Sequence, residues 1–199
     1  KGWEVAGVTM ILGEDSSSFN ERAVEDARQV CRFLSIPHYV VDLSREFAEL
    51  VMGDFISQYL EGRTPNPCVI CNRRLKFGKL LEYARHKGFD FLATGHYARV
   101  EEKEGKYFLK RPKDRKKDQT YFLYGIGKDS LPYIVLPMAD FTKEEARELA
   151  RKYGLPVAEK PESKDICFLP GGDYRKFLEK RISGDYCGFI VTPEGEIVG

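Results

Sequence analysis

Short apolar runs alternate with amphipathic segments in the first half of the chain, and this alternation leaves few possible folds. The run from Glu4 to Leu12 is rich in β-branched residues, which predicts a strand buried on both faces of a parallel sheet. An apolar helical stripe follows, and His38 to Leu43 predicts a second strand. The order strand, helix, strand, helix predicts an α/β fold.

Residues at helical spacing predict the helices between these strands. The first stripe consists of Ala23, Val24, Ala27, Val30, Cys31 and Leu34, and the second follows Ser44 as Phe47, Leu50, Val51, Phe55 and Tyr59. Cys31 is therefore assigned to the core. A third strand, Phe89 to Thr94, ends at Gly95 and His96, which become site candidates because ligands of open α/β sheets bind beyond the strand carboxyl ends.

A rigid turn with two cysteines precedes that third strand. Pro65 and Pro67 restrict the backbone that enters Cys68, because proline fixes its own φ and keeps the preceding residue extended. Cys68 and Cys71 form a Cys-x-x-Cys pattern, which redox pairs, zinc knuckles and iron–sulfur sites share. Cys71 is predicted near the start of a basic helix that ends at Gly88, where the helix dipole and the side chains of Arg73, Arg74 and Lys76 stabilise a thiolate. The alternative is a pair of buried structural cysteines.

Basic residues are concentrated in two segments although the net charge is only +1. Residues 63–87 contain seven Lys or Arg against one acid, and residues 110–117 contain six against one. Tyr121, Phe122 and Tyr124 follow the second segment, and such a mixture is typical of surfaces that contact phosphates and stack on unpaired bases. A solvated surface is the alternative explanation of each charge run.

The last third of the chain predicts a capped helix, a second cysteine loop and a hairpin. Thr142 and Glu145 form a capping box. Cys167 lies among polar and glycine residues in the loop Pro161 to Gly172, and Asp173 begins the next helix. A hairpin is predicted around Gly195, and an earlier one around Gly105.

Length and cysteine usage indicate the class of protein. The 199 residues suffice for one large α/β domain. Five irregularly spaced cysteines, an odd number, indicate a reducing compartment rather than a secreted disulfide framework. The sequence shows neither a signal peptide nor a long apolar run, so the expected location is cytoplasmic and away from membranes.

Five segments together closely resemble the tRNA-specific 2-thiouridylases, enzymes that place sulfur on C2 of the wobble uridine. They read GRTPNPCVICNRRLKF, LATGHYAR, KKDQTYFL, LPMADFTKEEARELARKYGLP and SKDICFLPGGDYRKFL. The resemblance implies an ATP-pyrophosphatase-type domain, an open parallel sheet with helices on both faces, over residues 1–182. Residues 183–199 would then begin a small central β-containing domain.

The resemblance also implies roles for individual residues. Cys71 matches the nucleophilic cysteine and Cys167 the cysteine that carries a persulfide. Met10 and Gly95 match contacts to the adenine nucleotide. The matches to tRNA contacts are Asn66, Pro67, Cys68, His96, Lys117, Asp118 and Gln119. The implied cofactors are ATP and Mg²⁺, and the implied partners are tRNA and a sulfur donor, either a cysteine desulfurase or a sulfur-relay protein.

Two departures from the family pattern bear on the mechanism. Cys68 stands where many members carry aspartate, so Cys68, Cys71 and Cys167 could instead hold three irons of a [4Fe–4S] cluster whose fourth iron binds the transferred sulfur. The SGGxDS phosphate loop of the family is absent from this chain, which leads us to expect an internal fragment that would be inactive alone.

Three other functions compete with thiolation. A different ATP-pyrophosphatase, such as an amide or argininosuccinate synthetase, would share the fold but would not need two rigid cysteine loops. A non-catalytic RNA-binding module would explain the basic segments and leave the cysteines unused. A zinc-stabilised domain would need Cys68, Cys71, Cys167 and His96 as its tetrahedral set.

Overall fold

The computed structural model describes residues 2–13, 17–156, 166–169, 171–184 and 188–199. The chain divides into two compact units, residues 1–164 and residues 165–199. The predicted domain boundary after residue 182 stays a prediction. None of the helices within the described ranges has both the length and the apolar character needed to cross a bilayer.

The first unit begins with the predicted strand, helix and strand. β1, Gly7–Ile11, pairs in parallel with β2, His38–Asp42, and α1, Ser17–Phe33, connects them. Cys31 on α1 is buried, as predicted from the apolar stripe. A Cβ atom at Gly7 would overlap the Cys31 sulfur, so the glycine allows α1 to lie directly on the strand.

The second helix, α2, consists of an α-helical start Ser44–Phe47, a π-helical turn Ala48–Met52 and an α-helical end Gly53–Leu60. Phe47, Val51 and Phe55 are each about 1% exposed and form its buried face. Ser44 is the first helical residue rather than the cap, and its N–H donates to the Asp42 carboxylate (2.9 Å).

The third helix, α3, follows the cysteine turn and is continuous through Pro67–Ile70, the π-helical stretch Cys71–Leu80 and Leu81–His86. Gly88 ends it with φ of +85°, a conformation that favours glycine. The Phe89 N–H donates to the Ala84 carbonyl and the Gly88 N–H to the Arg85 carbonyl, which is the Schellman pattern.

The third strand is shorter than predicted, because Phe89 still donates a hydrogen bond to the end of α3 and is not available to the strand. β3 contains only Leu92–Ala93. A hairpin follows, with β4, Arg99–Lys103, antiparallel to β5, Lys106–Lys110. Its turn residues Glu104 and Gly105 both have positive φ, as a type I′ turn requires.

A further strand, β6, Ile134–Val135, pairs in parallel with β3. It was absent from the prediction, because two residues between the 3₁₀ segments Lys128–Tyr133 and Pro137–Asp140 show no periodicity. The main core lies beside this pair and consists of Phe77, Leu80, Leu81, Leu92, Ala98, Leu123, Leu131, Ile134 and Leu136. Val8 and Met10 of β1 pack against that core.

The predicted capping box is confirmed at α4, Lys143–Lys152. In the second unit, Asp173 accepts a hydrogen bond from the Lys176 N–H (3.3 Å) and caps α5, Tyr174–Glu179. Val191 and Ile197 pair across the last hairpin. The loop residues 161–165 and Cys187 lie outside the described residues.

Candidate active site

The cysteine turn begins α3 through its two prolines. Asn66 is extended (φ −114°, ψ 90°), and Pro67 occupies the first helical position, where its missing N–H costs nothing. Cys68 is exposed, whereas Val69 and Cys71 are buried. Cys71 therefore lies one turn inside the helix. Helix dipoles act mainly on the first turn, so the position favoured by the dipole is that of Cys68.

The π-helical stretch changes which residues of α3 share a side. Lys76 follows Cys71 by five residues, a separation that spans about 1.4 turns of an α-helix. In a π-helix each backbone hydrogen bond joins residues five apart, so the same separation is about one turn and Lys76 lies about one turn beyond Cys71. Gly78 lies in the same π-helical stretch. A Cβ atom there would lie only 3.1 Å from the carbonyl oxygen of Arg73, five residues earlier. π-Helical turns are rare and occur frequently at functional sites.

Asn72 ties this helix to the segment that follows the basic run. Its side-chain amide donates to the Phe122 carbonyl (3.3 Å), and the residue is 3% exposed. Its Oδ1 is buried and accepts no hydrogen bond from the described residues. An unpaired buried acceptor lowers the free energy of unfolding. The Asn72 side chain, next to Cys71 in the sequence, therefore destabilises the fold.

A cavity of about 360 Å³ lies beside Val8 and Met10 of β1 and at the carboxyl end of β3. It brings together Met10 and Gly95, the predicted nucleotide contacts, with His96 and Gln119, two of the predicted tRNA contacts. The remaining lining residues are Val8, Lys76, Leu80, Leu92, Ala93 and Thr94. A Cβ atom at Gly95 would meet no heavy atom within 4 Å, so the cavity is open at that residue.

His96 is held as a neutral side chain. Burial, and then the positive charge of Lys76, lowers the pKa of His96 to about 4. Its Nδ1 lies 2.8 Å from the Thr94 hydroxyl, and its ring lies 5.7 Å from that of Phe77. At neutral pH His96 can therefore hydrogen-bond to a neutral group of a ligand but adds no charge to the cavity.

The Lys117-Asp118-Gln119 segment is connected to the His96 turn. Gln119 accepts a hydrogen bond from the Tyr97 N–H (2.9 Å) and donates its own N–H to the Tyr97 carbonyl (2.9 Å). The Asp118 carboxylate accepts the Thr120 N–H (2.9 Å) and hydroxyl (2.7 Å). Burial alone would raise the pKa of Asp118, but the hydrogen bonds from Thr120 and the charge of Arg111 outweigh it and lower that pKa. Asp118 thus organises the loop.

Cys68 differs electrostatically from an ordinary exposed thiol. Loss of hydration around the sulfur raises the pKa of Cys68, and the nearby Lys76 opposes that shift without cancelling it. The shift disfavours the thiolate form of Cys68.

The sequence model of the tRNA methyl transferase HUP domain family matches residues 1–171 of this chain. The chain belongs to this family. The match confirms the predicted α/β fold class, since the HUP domain is of ATP-pyrophosphatase-like type. It also covers β1 to α4 in full and therefore the entire cavity.

Curated relatives with specific names match along the whole chain. The tRNA-specific 2-thiouridylase MnmA 1 of Syntrophus aciditrophicus is 51% identical over 204 residues, which cover 100% of this chain and 55% of the relative. The MnmA enzyme of Carboxydothermus hydrogenoformans is 48% identical over 211 residues, which cover 100% of this chain and 58% of that protein. That of Moorella thermoacetica is 47% identical over 209 residues, with the same coverage. The chain spans a little over half the length of these relatives, and the predicted resemblance is confirmed.

Cys167 lies in the second unit, where it is exposed. Its pairing with Cys71 stays a prediction. Across the described residues, no three His, Cys, Asp or Glu side chains are grouped so that they could hold a metal ion. Asn72 was not predicted as a site residue. Lys76 was predicted only as one of three cations that stabilise the Cys71 thiolate, and its place in the cavity lining was not predicted.

Proposed function

We propose that this protein is a tRNA-uridine 2-sulfurtransferase, which uses ATP to convert the wobble uridine of tRNA to 2-thiouridine. The observation that carries the proposal is the cavity at the strand ends. It joins Met10 and Gly95 to His96 and Gln119 and is lined by the same helix that carries Cys71. The names of the curated relatives support the choice of reaction.

The first step activates the uridine. The C2 oxygen is a poor leaving group, so it attacks the α-phosphorus of ATP, an O–P bond forms, and pyrophosphate leaves. Met10 and the apolar lining suit an adenine ring, and the open space at Gly95 lets the nucleotide approach the backbone closely. The part of the lining that the structure describes contains no carboxylate, so none of these residues is assigned to Mg²⁺.

The second step transfers sulfur. The terminal sulfur of a Cys167 persulfide attacks C2, and AMP leaves with the original oxygen. The Cys71 thiolate then attacks the Cys167 sulfur of the resulting C2–S–S linkage, which forms a Cys71–Cys167 disulfide and releases the thiocarbonyl of 2-thiouridine. An external thiol reductant regenerates both thiols, and a cysteine desulfurase or sulfur-relay protein resupplies the persulfide.

The tRNA contacts lie on the segments around this cavity. The target uridine must leave its stack to enter it, as in other enzymes that modify a base. Tyr121 and Tyr124 are 59% and 75% exposed beside the basic run, and they are available to stack on bases. Asn66 and Cys68 are exposed just before Cys71, and we assign them to contacts with the extruded base.

A [4Fe–4S] cluster is the alternative sulfur carrier. Its ligands would be Cys68 and Cys71 of the first unit and Cys167 of the second. No step of the reaction is assigned to a cluster.

The test uses full-length protein with ATP, a tRNA bearing an unmodified wobble uridine, and a sulfur donor. Nucleoside mass spectrometry should detect 2-thiouridine with the wild type. Cys71→Ser and Cys167→Ser should abolish it while tRNA binding is retained, because each thiol supplies chemistry and little contact area. Cys31→Ala is the matched control, since Cys31 is buried on α1 outside the cavity.

The outcomes separate thiolation from its rivals. ATP hydrolysis that depends on a small amine and ignores tRNA would indicate a different ATP-pyrophosphatase. Binding of tRNA without release of AMP would indicate an RNA-binding module. Ordinary thiolation by either serine variant would refute the role of that cysteine. A Cys71–Cys167 disulfide in protein quenched during turnover would support the second step.

A further inference from the structure

Among the described residues that line the cavity, Lys76 carries the one formal charge. The other described lining residues are apolar or uncharged, and His96 is neutral above a pH of about 4. None of the described lining residues is a carboxylate that could balance the ammonium. A mostly apolar pocket with one cation suits a ligand that has a neutral ring system and one anionic group next to it.

Lys76 is set apart from the other cations of α3. It is half-buried, whereas Arg73, Arg74 and Lys79 are exposed. Lys79 pairs with Glu82 (3.5 Å), but Lys76 forms no ion pair with a carboxylate of the described residues. Partial burial of an unpaired ammonium is unfavourable, so the position fits a cation that acquires its partner with the ligand.

Lys76 belongs to the helix that the cysteine turn begins, and it lines the cavity. The π-helical winding sets it about one turn beyond Cys71. Its charge also contributes to the lowered pKa of His96, which lines the same cavity. An anion bound by Lys76 would therefore lie in the cavity, beside the helix that carries Cys71.

We propose that Lys76 binds the phosphate attached to the adenosine: the α-phosphate of ATP, then that of the adenylated uridine, and then that of AMP. The inference rests on the proposed function. When the C2–O bond breaks, its electron pair stays with the phosphate oxygen, and the phosphate gains a negative charge. A preorganised ammonium stabilises that developing charge and makes AMP a better leaving group.

The test measures binding of AMP and of adenosine to the full-length protein by calorimetry. Lys76→Gln removes the charge and keeps a polar side chain of similar reach. A hydrogen bond to a charged group contributes about 1.5–3 kcal/mol, so AMP affinity should fall by about 10- to 150-fold. Adenosine affinity should stay unchanged, because adenosine has no phosphate. Lys76→Arg should retain most of the preference for AMP.

Lys79→Gln is the matched control, because Lys79 lies three residues further along the same π-helical stretch and does not line the cavity. It should leave both affinities unchanged. If the wild type prefers AMP to adenosine and Lys76→Gln keeps that preference, the assignment of Lys76 is wrong while the nucleotide site stands. If the wild type binds neither ligand, both proposals fail. If Lys76→Gln weakens only tRNA binding in a filter assay, Lys76 contacts a tRNA phosphate and the inference is overturned.

Discussion

Replacing Gly7 by alanine should destabilise the first unit, because the new Cβ atom would overlap the Cys31 sulfur on α1. The Gly7 N–H donates to the Pro37 carbonyl (2.8 Å) and the residue pairs with His38, so β1 cannot move aside without losing these bonds. Overpacking of a filled core costs about 1–3 kcal/mol, and alanine recovers about 0.5–1 kcal/mol of glycine's conformational entropy. We expect the free energy of unfolding to fall by about 1–2 kcal/mol.

The assay is thermal denaturation of full-length protein, followed by circular dichroism, in a double-mutant cycle with Cys31→Ala. About 1 kcal/mol shifts the midpoint by about 2–4 °C in a chain of this size. Cys31→Ala removes the overlapping sulfur, so Gly7→Ala should cost little in that background, and the two substitutions should couple by about 1–2 kcal/mol. Additive effects, or an unchanged midpoint for Gly7→Ala alone, would refute the packing of α1 on β1.

Gly95→Ala is the control for this reasoning. The same methyl group there would meet no heavy atom within 4 Å, and Gly95 does not have a left-handed φ. The midpoint should therefore stay unchanged, while AMP affinity should fall because the methyl group occupies part of the cavity. A loss of stability equal to that of Gly7→Ala would contradict the open space at the end of β3.

The remaining predictions concern pH, tRNA and the sulfur carrier. The folded-state pKa of His96, about 4, lies below its unfolded value of 6.5, so the unfolded chain binds more protons between these values and stability falls as the pH drops through that window. His96→Gln should reduce this loss of stability, which is at most about 3 kcal/mol. The denaturation midpoints of the wild type and the variant, measured at pH 6.5 and pH 4.5, test this expectation. Tyr124→Ala should weaken tRNA binding by about 1–3 kcal/mol and leave AMP binding unchanged. If a filter assay gives the variant the same tRNA affinity as the wild type, Tyr124 does not stack on a base. Cys68→Asp should retain activity in iron-free protein, because Cys68 is not used in the persulfide reaction. Strict dependence of both wild type and variant on reconstituted iron, assayed anaerobically, would favour the cluster instead.

Features that depend on neighbouring residues could be predicted from the sequence. The capping box at Thr142 and Glu145, the Asp173 cap and the Gly88 helix end are local hydrogen-bonding patterns, and each formed as predicted. The short strand β6 could not be predicted, because pairing with β3 rather than periodicity defines it. The π-helical winding after Cys71 also escaped prediction, because the residues would suit an ordinary α-helix equally well.

The amino-acid sequence by itself determined the α/β class, the rigid turn before Cys71 and the positions of the candidate residues along the chain. The tertiary structure alone decided which of them share a site. Met10, Lys76 and His96 come from β1, α3 and the turn after β3, and they line one cavity because the apolar faces of these elements are buried against a common core. That burial also makes His96 neutral and leaves Lys76 as the only charge among the described lining residues. Hydration and the distance to other charges depend on the folded chain and not on sequence spacing.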